Sequence, residues 1–400
     1  MGYAVKLQQV YTKSRKKGIF GYKIEKNNAT PGARVTPIAG CKNENYRSAI
    51  MNFTTGALDY GDWEDAFFMP KVCMLKYDGT VDYYIDPNNY LMRLNSDLAS
   101  DVANPSYNGN CMIEFPQIWF SRWQDEQYEY CYISDRKRDD TYKAYAHIDM
   151  NGDLQRYCYV AAYNGSYPNA DNKLRSLSGQ ACMVSQTAAT EISRAQGNGS
   201  RWYTGTHVDR EMINDLLLLI SMNTNAQTIF GNGHTNGSAQ MRTGTMDGKG
   251  LFFGSTATSG TGVKVFGIEN YWGNIWDRIA GKVRNGNGYT CVKMTWGTED
   301  GSTGTGYNTT GAGYIQTSCN ASGSGAYIKD TNYSALGRLE VNTGANATTY
   351  MCDGFWSGSN TYASVGGLWF NGAICGPFAC YLGAAASYTD SNIGARVSYK

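Results

Sequence analysis

The chain has 400 residues, with 47 glycines, 31 tyrosines and only 8 prolines; charged side chains make up 17% and the net charge is +1. Few charges with much Gly and Tyr exclude a disordered polyelectrolyte and argue against a helical bundle, pointing to strands joined by long irregular loops. A charge so near neutral supplies no sequence-wide field to recruit nucleic acid or an anionic membrane.

Eleven cysteines, at 41, 73, 111, 131, 158, 182, 291, 319, 352, 375 and 380, are scattered singly. The odd count and the lack of a Cys-x-x-Cys pair argue against a disulfide framework and a thiolate zinc site, leaving mostly buried, inert thiols. His147, His207 and His234 stand far apart, so no metal centre and no cofactor is expected. No secretory signal opens the chain. The longest apolar stretch, Met212 to Met222, is broken by Asn214, Asp215 and Ser221 and is too short to span a bilayer. The expectation is a soluble protein made in the cytosol, with no membrane insertion and no nucleic-acid partner.

In chain order, residues 1–45 are polar and basic, with a turn at Thr30-Pro31-Gly32, and are expected to form an attachment or assembly segment. The cluster Lys13, Arg15, Lys16, Lys17 is expected to be a solvated surface. From 46 to 163 the signals are mostly strands. Tyr128, Tyr130 and Tyr132 alternate, as do Tyr157 and Tyr159, which places each set on one face. Asn151-Gly152 marks a hairpin turn between Ala144-Tyr145-Ala146 and Tyr157-Cys158-Tyr159. Asp149, Asn151 and Asp153 resemble the opening of a calcium loop, but Gly152 is misplaced and the closing Glu is missing, so a turn is expected.

Two helices follow. One covers about 186–196 and stops at Gly197, a residue suited to a left-handed C-terminal position. The other covers 207–222, with Thr206 as N-cap, Asp209 three residues on, and an apolar stripe of Met212, Leu216, Leu219 and Ile220. Residues 231–262 and 285–346 are rich in Gly, Thr, Asn and Ser. They alternate with Leu251-Phe252-Phe253, Val263 to Ile268 and Tyr271-Trp272, and are expected to be ordered loops stitched to short strands.

The last fifty residues contain Gly366-Gly367-Leu368-Trp369-Phe370-Asn371-Gly372, then Gly376-Pro377-Phe378, then Asn392-Ile393-Gly394-Ala395-Arg396. Between these words lie side chains of no common chemistry: Leu368, Phe370, Ile374, Tyr381, Gly383, Ala384, Tyr388 and Asp390. A rigid frame holding arbitrary side chains suits a selectable binding surface. A catalytic site needs the reverse, a few fixed reactive groups.

Together with Lys173 to Gly179, Asn225-Ala226-Gln227-Thr228, Phe230-Gly231-Asn232-Gly233 and Val265 to Asn274, these words resemble phage tail-fibre proteins that end in a C-type-lectin fold. That architecture is shared with formylglycine-generating enzymes and with the variable proteins of diversity-generating retroelements. The resemblance covers roughly 60–400. It implies an α+β class: a β-rich C-type-lectin-type domain over 46–400 with two helices and long Gly/Asn/Thr-rich ordered loops, and a variable region within 353–396.

The resemblance also implies a function. The chain would be a tail adhesin in the virion, made in the host cytoplasm. Its partners would be a bacterial surface receptor (protein or glycan), other tail proteins and two further copies in a homotrimer. In the retroelement family, adenine mutagenesis converts Asn codons to most residues, but not to Trp, Met, Lys, Gln or Glu. The eight positions above pass that test, as do Phe355, Ser357 and Ser359, which extend the face. Trp356, Trp369, Asn371, Gly372 and Phe378 would be its scaffold, with Pro377 and Leu382. The opposing view is that Leu368, Phe370 and Ile374 are buried strand residues.

Two enzymatic alternatives stand beside this. Cys375 and Cys380 have the interval of the copper-holding pair of formylglycine-generating enzymes, and soft thiolates select Cu(I). They lie further from Gly366-Gly367 than that frame requires, however, and enclose Gly-Pro-Phe. A glycan-cleaving tail protein would need two carboxylates about 5–9 Å apart. Asp65, Asp78, Asp82, Asp86, Glu114 and Glu269 are available, with Glu269 the best placed, although it is expected to bind loop amides instead.

Overall fold

The computed structural model describes residues 15–293, 314–318 and 325–400. Lys13, Cys319, positions 1–14 of the first segment and positions 294–313 and 319–324 of the second Gly-rich stretch lie outside the described residues. Four helices occur among them: α1 (Pro31–Arg34), α2 (Ala188–Gln196), α3 (His207–Ser221) and α4 (Ala226–Phe230).

Helix α3 is written locally and used globally. The Thr206 hydroxyl accepts from Asp209 N at 3.4 Å and the Asp209 carboxylate accepts from Thr206 N at 3.0 Å, a reciprocal capping box that satisfies two amides the helix leaves open. Met222, in a left-handed conformation, ends it by donating its amide to Leu218 O. The expected stripe understates its burial: all fifteen residues are buried, including Arg210, Glu211, Asn214 and Asp215. A polar group in that position needs partners, and Asp215 has four. It accepts from Arg122 Nε at 2.6 Å, Tyr22 OH at 2.5 Å, Tyr333 OH at 3.0 Å and Arg338 Nη1 at 2.6 Å. Burial opposes its charge, but Arg122 and Arg338 hold its carboxyl below the usual range. Removing one member of such a network leaves an uncompensated buried charge, a loss of about 3–5 kcal/mol.

Three larger sheets occur among the described residues, and this helix packs on Ile19–Glu25 of the first and on Trp276–Arg284 and Gly337–Ala345 of the third. The first runs Val35–Pro37, Ile19–Glu25, Tyr128–Ser134, Trp119–Gln124. Glu129, Cys131 and Ile133 point inward while Tyr128, Tyr130 and Tyr132 stand half exposed, the alternation expected from period two. Tyr130 stacks on its cross-strand neighbour Trp123 at 4.0 Å and 14°. Phe20, Tyr22 and Ile24 enter the main core, so the described part of the N-terminal segment is built into the same body as the rest of the chain.

The second sheet runs Trp202–Thr204, Val397–Tyr399, Tyr157–Ala161, Gly109–Pro116, Lys71–Lys76, Val81–Asp86, Asn89–Arg93. The third is centred on Trp276–Arg284, Thr361–Val365, Cys380–Leu382 and Gly354–Ser357, continuing to Ala326–Ser334 and Gly337–Ala345. The end of the chain joins them. Ile393–Ala395 pairs in parallel with Trp276–Arg284, and Val397–Tyr399 pairs with Tyr157–Ala161. At the crossing, Arg396 donates to Asp277 at 2.6 Å and to the carbonyls of Glu269 and Asn270 at 2.9 and 2.8 Å. The Asn-Ile-Gly-Ala-Arg word is a structural joint.

Several expectations are corrected. Strands make up 36% of the described residues and helix 11%, so the fold is β-rich and the α+β class does not hold. Both expected helices are present as α2 and α3; the class fails because helices are few and short beside the strands that long-range pairing builds. Tyr157–Ala161 does not pair with 144–146, which lie at a 3-10 turn over Tyr145–His147; it joins Gly109–Pro116 and Val397–Tyr399. The turn itself stands: Asp149 Oδ1 accepts from the amides of Asn151 and Asp153, both at 2.9 Å. Gly197 follows α2 as expected but is right-handed, with φ −58°. Its constraint is proximity, since a Cβ there would collide with the Asn172 carbonyl. All ten described cysteines are buried free thiols.

Candidate functional site

Two short parallel strands build the centre of the C-terminal face. Phe355 pairs with Cys380, Trp356 with Tyr381, and Ser357 with Leu382. Because successive side chains alternate, Phe355, Cys380 and Leu382 turn inward while Trp356 and Tyr381 emerge side by side, rings 6.1 Å apart. Trp276 backs both, 5.3 Å from Trp356 and edge-on, and 5.7 Å from Tyr381. Trp369 packs against the same cluster and contacts Phe370 at 5.7 Å. Ile374 flanks Trp356 across Gly354. Phe370 and Tyr388 are the most exposed aromatics among the described residues, at 57% and 45%.

The backbone beneath is held from outside the segment. At the Gly366-Gly367 corner both residues have positive φ, 92° and 86°, and a Cβ on Gly367 would collide with Cys375. Asn371 accepts from Leu368 N at 3.2 Å, closing its own turn. Trp369 N donates to Asn274 O at 3.1 Å, and Gly372 N, at φ 66°, to Thr235 O at 2.8 Å. Gln227 of α4 donates to Cys375 O at 2.8 Å. The Gly376-Pro377-Phe378 turn sits on two supports. Asp353 accepts from Phe378 N at 2.8 Å, and a Cβ on Gly376 would strike that carboxylate. From the other side, Arg210 and Asn214 of α3 donate to Pro377 O. Burial raises the Asp353 carboxyl well above its ordinary value.

The loop after Leu382 follows the same plan. Tyr362 N donates to Ala384 O at 2.9 Å, Ala188 N to Ala386 O at 2.9 Å, Arg278 to Tyr388 O at 2.8 Å and Ser185 N to Asp390 O at 2.9 Å. Tyr388 OH donates to the Asp390 carboxylate at 2.9 Å. Every one of these anchors takes a main-chain atom of the loop or a side chain within it.

Of the candidate face residues, Phe370, Tyr388, Ser359 and Gly383 are exposed, and Ile374, Tyr381, Ser357, Ala384 and Asp390 are partly exposed. Two are corrected. Leu368, 4% exposed, packs with Trp276, Ala379 and Ile393, and Phe355, 0% exposed, belongs to the main core. In both cases the strand or turn directs the side chain inward, and Trp369 and Trp356, expected as scaffold, face outward instead. Phe378 is buried in the main core. Trp276 was missed; its only sequence signal is its place directly after the Tyr271 to Asn274 word.

The alternative sites fare differently. Cys375 and Cys380 are both buried, Cys375 donating its thiol to Leu368 O at 3.5 Å. Burial pushes the Cys375 thiol up, away from the thiolate that a soft metal requires. The carboxylates are engaged one by one. Asp65 pairs with Lys16, Asp82 with Lys76, and Asp78 and Asp86 accept turn amides. Glu114 accepts from Tyr84 and Tyr159 hydroxyls. Glu269, 1% exposed and raised to about 7 by burial, accepts from the amides of Gly244 and Met246 at 3.0 and 3.2 Å, the loop-holding role expected of it.

No family model matches the chain, and no curated protein matches it. Among solved structures it is similar to a chain named Major Tropism Determinant U1 Variant. The identity is 13%, over 83% of this chain and 72% of that one, with a TM-score of 0.28. A superposition that loose carries no weight for function, which must be read from the face itself.

Proposed function

We propose that the chain is a receptor-binding protein, a tail adhesin whose C-terminal aromatic face binds a molecule on a bacterial surface. The observation that carries this is the separation of frame from face. Main-chain atoms of 366–390 are gripped by buried Arg210, Asn214, Asp353 and Arg278 and by half-buried Gln227, so the outward side chains can change without releasing the frame. Phe370, Trp369, Trp356, Tyr381 and Tyr388 supply large rigid contact area at low entropy cost, and smaller residues beside them tune shape. Asp390 is the only charged side chain in the candidate set, so the face favours contact through rings and hydrogen bonds over ion pairing. An exposed aromatic set of this kind is a liability on a surface that binds nothing.

The phage-tail setting comes from the resemblance of the C-terminal words, as does assembly with other tail proteins into a trimer. Several copies engaging one cell would raise avidity by orders of magnitude without new contacts. The same reading makes the chain a binder and not an enzyme. Fluorescently labelled chain applied to a panel of bacterial cells tests it. Adsorption to some strains should be saturable and should be lost in Phe370→Ala/Tyr388→Ala. A double variant that adsorbs as well as the parent would remove this face as the site.

A further inference from the structure

A groove of about 530 Å3 opens where the start of the described chain crosses the ends of strands Lys71–Lys76, Gly109–Pro116 and Tyr157–Ala161. That volume lies within the range of small-ligand sites, about 300–1,000 Å3. Four cations line it, Arg15, Lys17, Lys71 and Arg156, with two carboxylates, Glu114 and Asp135.

Both carboxylates are occupied. Glu114 is 3% exposed and covered by the hydroxyls of Tyr84 and Tyr159, and Asp135 is ion-paired with Arg138 at 3.0 Å. The cations are placed by their surroundings. Arg15 donates to the carbonyls of Phe67 and Met69, Lys71 sits 4.6 Å over the Tyr84 ring, and Arg156 lies 5.3 Å from Tyr157. Lys17 and Arg156 are exposed and enter no ion pair among the described residues. Cations outnumber carboxylates in the groove on a chain whose net charge is only +1, and a concave wall with an excess of one sign concentrates its field.

We infer that this groove binds an anionic saccharide, a sugar chain carrying carboxylate or phosphate groups. Guanidinium and ammonium groups make charge-assisted hydrogen bonds to such acids. The half-exposed ring of Tyr157, beside Arg156, offers a flat apolar surface for a sugar ring. No residue of the C-terminal face lines the groove, so the two sites stand or fall separately.

Calorimetric titration of the full chain at low salt with sodium polygalacturonate, phosphomannan and uncharged dextran tests the inference. Saturable binding of at least one acidic polymer and none of dextran is expected, and the preferred polymer identifies the acid. Lys17→Ala/Arg156→Ala should weaken binding about tenfold, equivalent to roughly 1.4 kcal/mol. Both side chains are exposed, so the melting temperature should not move. Lys137→Ala/Lys249→Ala, two exposed lysines outside the groove, should bind like the parent. The inference is overturned by no binding to either acidic polymer, by equal binding of parent and groove variant, or by equal weakening in the control pair.

Discussion

Arg210 reaches Pro377 across 167 positions of sequence, its Nε and Nη2 both donating to the Pro377 carbonyl at 3.2 and 3.1 Å. Its Nη1 donates to Tyr271 O at 2.9 Å, so one guanidinium joins the central helix to the Gly376-Pro377-Phe378 turn and to the Val265–Asn274 segment. Proline has no amide to offer a sheet, and its carbonyl in this buried turn is satisfied by the fork together with the Asn214 side-chain amide at 3.0 Å.

Arg210→Met should therefore cost about 2–4 kcal/mol, the loss of several charged hydrogen bonds with the Tyr271 carbonyl deprived of this donor. Arg210→Lys should recover only part, because an ammonium cannot reproduce the planar fork. Urea denaturation checks both. A loss below about 1 kcal/mol for Arg210→Met would mean the turn is held by Asp353 and Asn214 alone.

Face and core should separate cleanly by stability. Phe370→Ala and Tyr388→Ala, at exposed positions, should change unfolding free energy by no more than about 0.5 kcal/mol each. Leu368→Ala and Phe355→Ala should each cost about 2–5 kcal/mol by opening cavities. Thermal melts of the four single variants decide it, and a large drop for Phe370→Ala would place that residue in the core.

His147 is fully buried and its pKa is lowered to about 3 by burial, with Nε2 accepting from Ile118 N at 3.2 Å. The unfolded chain takes up this proton near pH 6.5, the folded one only near 3, so the residue's contribution is complete above about 6.5 and is lost as pH falls. Buried Glu191 and Glu269, both raised to about 7, act in the opposite sense, so the test is a difference. Relative to the parent, His147→Gln should gain about 1.4 kcal/mol per pH unit between about 6 and 4. Parallel stability curves for the two proteins would show that His147 titrates normally.

Copper gives a direct check on the oxidase alternative. With the Cys375 thiol buried and protonated, one equivalent of Cu(I) should leave the melting temperature and tryptophan fluorescence unchanged. Stoichiometric binding lost in Cys375→Ser would restore that alternative.

What was legible in the sequence is what short stretches of chain decide among themselves. The Thr206/Asp209 box, the outward tyrosines at 128, 130 and 132, and the Asn151-Gly152 turn depend on neighbours within a few positions. The frame words of the C-terminus were legible as words, but their glycines answer contacts from further along the chain: Gly367 meets Cys375, and Gly376 meets the Asp353 carboxylate. The tertiary structure alone decided which strand takes Tyr157–Ala161 as partner and that Trp276 backs the face. It also sent Leu368 and Phe355 inward while leaving Phe370 and Tyr388 out. The reason is physical: strands of three to five residues carry too little pattern to state their own inside. Each side chain's direction is set by pairing partners and packing surfaces that arrive from outside its own strand or turn, as Cys380 does for Phe355 and Trp276 for Leu368.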